Sequence, residues 1–94
     1  MFEWDEAKSA ANLKARGFDF AFAARIFDGP TLELDDVRAD DGELRIQAIG
    51  RAERVVLFVT YTWRGDARRI ISARRANRRE REIYETVFGR SGAP

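Results

Sequence analysis

Residues 64–81 read RGDARRIISARRANRRER and hold eight arginines against two acids, Asp66 and Glu80. Arginine makes up 15 of the 17 basic residues of the chain. A planar guanidinium grips phosphate through two parallel hydrogen bonds and keeps its charge at any ordinary pH. The strip therefore reads as a surface for a polyanion, against the plainer reading of a solvated face. Two further pairs have the i, i+4 spacing that puts side chains on one helix face. Lys8 and Asn12 form either a second phosphate contact or a hydrogen-bonded helix surface. Glu80 and Tyr84 combine a carboxylate, which could act as a base or orient an arginine such as Arg74, with a phenol that could serve acid–base chemistry, stacking or the core.

Charge is sorted along the chain rather than absent. Residues 1–43 carry five basic and eleven acidic residues, residues 44–94 carry twelve and five, and the net charge is +1. Asp35, Asp36, Asp40, Asp41 and Glu43 gather the acidic side into one stretch, read as a solvated turn with a second role in docking a basic partner. There is no cysteine and no histidine, which removes disulfides, thiolate sites, and both the commonest metal ligand and the commonest general base. No metal or cofactor is expected. The longest apolar run, residues 55–63, is too short to cross a bilayer, and the first residues do not form a signal sequence, so a soluble cytoplasmic protein with no membrane contact is expected.

These residues need elements to position them. Asp5 reads as an N-cap and Gly17 as a C-terminal stop for a helix over residues 6–16 with Ala7, Ala10, Ala11 and Lys14 on its stripe. Asp19 caps a second helix over residues 20–27 that buries Phe20, Ala23, Ala24 and Phe27, and residues 28–30 (DGP) end it. Alternation over residues 31–36 and 44–49, a doubly apolar run over 55–63, and residues 68–74 predict four strands, joined by turns at 38–42, 50–54 and 64–66. In the last strand alternation puts Arg68, Ile70, Ser72 and Arg74 on one face and Arg69, Ile71, Ala73 and Arg75 on the other. Residues 77–88 predict a final helix with Ile83, Tyr84, Val87 and Phe88 on its apolar side. The expectation is one α+β domain over residues 1–88, with two N-terminal helices, a four-stranded antiparallel meander sheet covered on one face, a C-terminal helix, and a flexible tail over 89–94.

The opening Phe2-Glu3-Trp4-Asp5 with Lys8 and Asn12, the pair Ile49-Gly50, and RIISARRA at residues 69–76 followed by Glu80 and Tyr84-Glu85 resemble the BrnT-type toxins. The resemblance runs over residues 2–85 and implies a RelE-like fold and a bacterial endoribonuclease toxin of a type II toxin–antitoxin module that inhibits translation. It also implies RNA as substrate, a BrnA-like ribbon-helix-helix antitoxin as partner, and the ribosome as a further candidate partner. The family has a histidine where this chain has Arg16. Metal-free cleavage of RNA needs activation of the 2′-hydroxyl, stabilisation of the phosphorane and a proton for the leaving oxygen. Arg64, Arg74, Glu80 and Tyr84 are the catalytic candidates, and Lys8, Asn12, Arg69 and Arg78 the RNA-binding ones, with Arg64, Arg74 and Arg78 singled out as phosphate binders. Trp63 and Tyr61 are candidates for base stacking, at least one of them being expected in the core. The alternatives are a non-catalytic nucleic-acid-binding module, or an inactive toxin that serves as corepressor with its antitoxin.

Overall fold

The computed structural model describes residues 1–34, 37–38 and 42–90. After a short strand β1 (Phe2–Trp4), helix α1 (Glu6–Arg16) starts where the Asp5 carboxylate accepts from the backbone N–H groups of Ala7 and Lys8, and it stops at Gly17 with φ 87°. The predicted alanine stripe is not the buried one, since Ala7, Ala10, Ala11 and Lys14 are all exposed. The helix buries Ser9 and Asn12 instead. Ser9 Oγ accepts from the Phe20 N–H at 2.9 Å, and Asn12 Nδ2 donates to the Phe18 carbonyl at 2.9 Å. These two short polar side chains tie α1 to the next turn of chain, and that need outweighs the apolar character of the alanines.

The second predicted helix is split into α2 (Phe20–Ala23) and a 3-10 helix (Ala24–Asp28). Then follow β2 (Thr31–Glu33), β3 (Val37–Arg38), β4 (Leu44–Ala52), β5 (Val55–Arg64), β6 (Ala67–Arg75) and α3 (Arg78–Phe88). The strands order as β1-β6-β5-β4-β2, with β3 also pairing β4. The chain is α+β as expected, but the sheet is neither four-stranded nor wholly antiparallel: β1 runs parallel to β6, with Glu3 opposite Arg69. Alternation alone could not show this, because the three residues of β1 gain their ladder from a strand more than sixty positions away. Gly50, predicted in a turn, lies inside β4, and a Cβ there would stand 2.7 Å from Ile26 Cβ. The absence of a side chain lets the 3-10 helix lie directly on the sheet.

Apolar residues occupy both faces of β5, so both faces are covered, not one. Leu57, Val59 and Tyr61 pack with Ile70, Ala73 and the Phe18–Ile26 region, while Phe58 and Ile49 pack with Ala76, Tyr84 and Phe88 under α3. Thr60 faces Ser72 and Tyr61 faces Ile70, which leaves Ile71 as an extra residue in β6. This bulge breaks the predicted alternation. Arg68, Ile70, Ala73 and Arg75 share one face, and Arg69, Ser72 and Arg74 share the other with α3. The acidic residues Asp35, Asp36, Asp40 and Asp41 lie outside the described residues, as does the tail from residue 91. Gly89, assigned by sequence to that tail, has its carbonyl held by Arg51 Nη2 at 3.1 Å. No helix among the described residues is long and apolar enough to cross a membrane.

Candidate active site

β6 ends at the edge of α3, and the joint between them is built from Arg74 and Glu80. Asn77 caps α3 in a reciprocal box: its side chain accepts from the Glu80 N–H, and Glu80 Oε1 accepts from the Asn77 N–H, each at 2.8 Å. The same carboxylate faces Arg74 end-on, with Nη1 to Oε1 at 2.8 Å and Nη2 to Oε2 at 2.9 Å. Arg74 Nη1 also donates to the Arg75 carbonyl, and the guanidinium carbon lies 4.1 Å from the Phe58 ring centroid. Three of the five N–H groups are thereby used. One on Nη2 and that on Nε have no partner among the described residues, and this pair of donors fits a bidentate phosphate.

The hydrogen bond from Arg74 holds the Glu80 carboxyl below its ordinary range, and Glu80 in turn raises the Arg74 guanidinium. At neutral pH the pair is therefore ionised. Glu80 acts as an orienting carboxylate, one of the two roles its position in the sequence allowed.

In front of Arg74 opens a cleft of about 370 Å³ lined by Arg16, Gln47, Phe58, Thr60, Ser72 and Ala73. Gln47, Thr60 and Ser72 form one row across β4, β5 and β6 and make its floor polar. Arg16, at the C-terminal end of α1, forms the facing wall. Its Nη1 donates to Asn12 Oδ1 at 3.0 Å and reaches the Ala73 carbonyl at 3.5 Å. Buried Asn12 thus aims Arg16, which has no ion-pair partner among the described residues.

The other sequence candidates lie elsewhere. Arg64 shares the sheet face but stands six residues along β5 from Phe58, the residue opposite Arg74, about 20 Å away at a strand's rise. It pairs with Glu43 at 3.5 Å. Arg69 pairs with Glu3 at 2.8 Å, and Arg78, 85% exposed, pairs with Glu82 at 3.1 Å. Tyr84 is 2% exposed and donates to the Pro30 carbonyl at 2.9 Å, inside the core under α3. Lys8 is exposed on α1, in a groove next to the cleft. Tyr61 is buried, and Trp63 lies on the opposite sheet face, where Arg68 stacks between Phe27, Tyr61 and Trp63. Arg16, Gln47, Thr60 and Ser72 were missed as cleft residues. Two of them carry a sequence signal: Arg16 stands where the BrnT-type toxins have a histidine, and Ser72 lies in the RIISARRA motif.

Among the described residues no cluster of three or more acidic, histidine or cysteine side chains is placed to hold a metal ion. No curated protein matches the chain. Residues 4–80 match the family described as the ribonuclease toxin, BrnT, of type II toxin–antitoxin systems, a span that takes in Arg16, the cleft floor, Arg74 and Glu80. The chain, which carries Arg16 and Arg74 on one cleft, belongs to the BrnT family of ribonuclease toxins.

Proposed function

We propose that the protein is an endoribonuclease that cuts RNA without a metal ion in the cleft between Arg16 and Arg74, and so inhibits translation. The observation that carries this reading is the Arg74 guanidinium, fixed by Glu80 and Phe58 at the cleft with two donors left without a partner among the described residues. In this mechanism the 2′-hydroxyl attacks the adjacent phosphorus and the 5′-oxygen leaves, giving a cyclic phosphate and a free 5′-hydroxyl. Arg74 and Arg16 stabilise the charge that builds on the equatorial oxygens, and Gln47, Thr60 and Ser72 position the ribose and phosphate. Glu80 stays a carboxylate engaged with Arg74, so water takes and returns the protons. A reaction of this kind relies on the RNA being held in line, which suits a substrate presented by the ribosome. Neutralisation by a BrnA-like ribbon-helix-helix antitoxin completes the module.

The test is cleavage of end-labelled RNA, free in excess EDTA and on ribosomes, by the wild type and by Arg74→Ala. The wild type is expected to cut free RNA in EDTA, and the variant to lose about 10²–10³-fold in rate. Loss of free-RNA cleavage in EDTA with activity restored by a divalent ion refutes metal independence, and no cleavage in either setting refutes the enzyme. The full engagement of Glu80 favours a second reading, a module that grips phosphate without cutting it. That protein leaves RNA intact while its affinity falls steeply with salt.

A further inference from the structure

A second groove of about 270 Å³ runs between α1 and β6 and meets the cleft at Arg16 and Ser72, which line both. Its walls are Ala11 and Ala15 from α1 and Ile71, the extra residue of the bulge, from β6. Helix positions 8, 11, 12, 15 and 16 follow the i, i+3, i+4 pattern of one face of α1, and that face borders the groove. The lining is mostly apolar, yet a cation stands at each end: Lys8 at one and Arg16 at the other. Eight residues of helix separate them, about 12 Å of rise. Neither has an ion-pair partner among the described residues, whereas Arg64, Arg69, Arg74 and Arg78 each have a glutamate. Lys8 and Arg16 therefore bring unpaired positive charge to both ends of this groove.

An apolar slot between two cations, continuous with the cleft at Arg74, matches the alternation of base and phosphate along a single RNA strand. We infer that the groove between α1 and β6 is a nucleotide subsite, in which a neighbouring base of the RNA lies on Ala11, Ala15 and Ile71 while Arg16 and Lys8 hold the phosphates on either side of it. This assignment rests on the phosphate reading of the Arg74 cleft and extends it by naming where the strand continues. The bulge has a part in it, because Ile71, the extra residue of β6, is the one that lines the groove while Ser72 keeps its place on the cleft floor.

The assignment is tested by anisotropy with a fluorescein-labelled 2′-O-methyl RNA octamer of mixed sequence, which the enzyme cannot cut, over a range of salt. Lys8→Gln is expected to weaken binding about 3–10-fold and to reduce the slope of log affinity against log salt by about 0.7, the share of one phosphate on a single strand. Ala11→Leu keeps a good helix former on an exposed position and fills the slot, so it should weaken binding about fivefold or more with the slope unchanged. Lys14→Gln, on α1 but outside the groove lining, removes the same charge and should change neither, and melting curves establish that all three variants are folded. If Lys8→Gln and Ala11→Leu bind like wild type while Arg74→Ala does not, the groove assignment is overturned and the cleft reading stands. An equal loss of slope in Lys14→Gln means diffuse surface charge and also overturns it. A wild type that does not bind the octamer at low salt and cuts no RNA removes both readings. Should the variants leave RNA binding untouched but weaken competition by polyglutamate, the groove belongs to an acidic peptide and not to RNA.

Discussion

In the contact of Arg74 with Glu80 a single side chain serves both the fold and the site. Glu80 caps α3, closes the β6–α3 corner and sets the plane of the guanidinium. Its folded pKa is depressed, chiefly by the Arg74 hydrogen bond, so the pair's stabilisation is full above the unfolded value of 4.5 and disappears as pH falls through the lower folded value. The Arg74 side chain is 40% exposed, and solvent screening limits the effect to about 1 kcal/mol. Thermal melts at pH 3–7 should therefore show the wild type above Glu80→Gln by roughly 4–8 °C at pH 7, with the gap closing below about pH 4.5. A gap as wide at pH 3 as at pH 7 refutes the ion pair as its source. Tyr84 gives the contrasting case. Tyr84→Phe leaves the Pro30 carbonyl without its donor, at a cost of about 1 kcal/mol, and should leave RNA cleavage at the wild-type rate. A large fall in rate with an unchanged melting temperature would return Tyr84 to the chemistry.

At the scale of elements, the site depends on how α1 and β6 are set against each other. Asn12 is the part of α1 that does this, since one end of its amide holds the Phe18 carbonyl and the other holds Arg16. Asn12→Ala should cost about 1–3 kcal/mol through the orphaned Phe18 carbonyl, and it should also lower RNA cleavage by releasing Arg16. The check is to measure melting and cleavage together, at a temperature where the variant is fully folded. Undiminished cleavage under those conditions means Arg16 needs no aiming. The bulge in β6 has the same kind of consequence. It puts Ser72 and Arg74 on the α3 face while keeping Ile70 and Ala73 together in the opposite core.

Over the whole molecule the arginine strip does not form one surface. Arg64 is at the far end of the sheet from Arg74, Arg68 is held among aromatic rings on the other face, and Arg78 stands on the outside of α3. Distance then separates the two arginines that the sequence made equal. Arg74→Ala should lower the cleavage rate about 10²–10³-fold, while Arg64→Ala, whose side chain is half exposed and paired with Glu43, should lower it less than about fivefold. Steady-state kinetics on a short RNA decide the matter, and equal losses would mean that the substrate spans the whole sheet face.

The sequence by itself determined the class of fold, the caps of α1 and α2, the central strand and the kinship with ribonuclease toxins, because each rests on local spacing or on motifs contiguous in the chain. It also made Arg74 and Glu80 candidates. The neighbours of Arg74 were hidden, since a face is assigned by counting in twos, and one extra residue at Ile71 reverses that count for everything after it. Arg16 and Ser72 are more than fifty residues apart and Gln47 and Thr60 lie in different strands, so no window of sequence holds the cleft. The parallel pairing of β1 and the two-sided cover of the sheet were likewise decided only where distant segments meet, where burial of both faces of β5 and the need to satisfy backbone hydrogen bonds choose the partners.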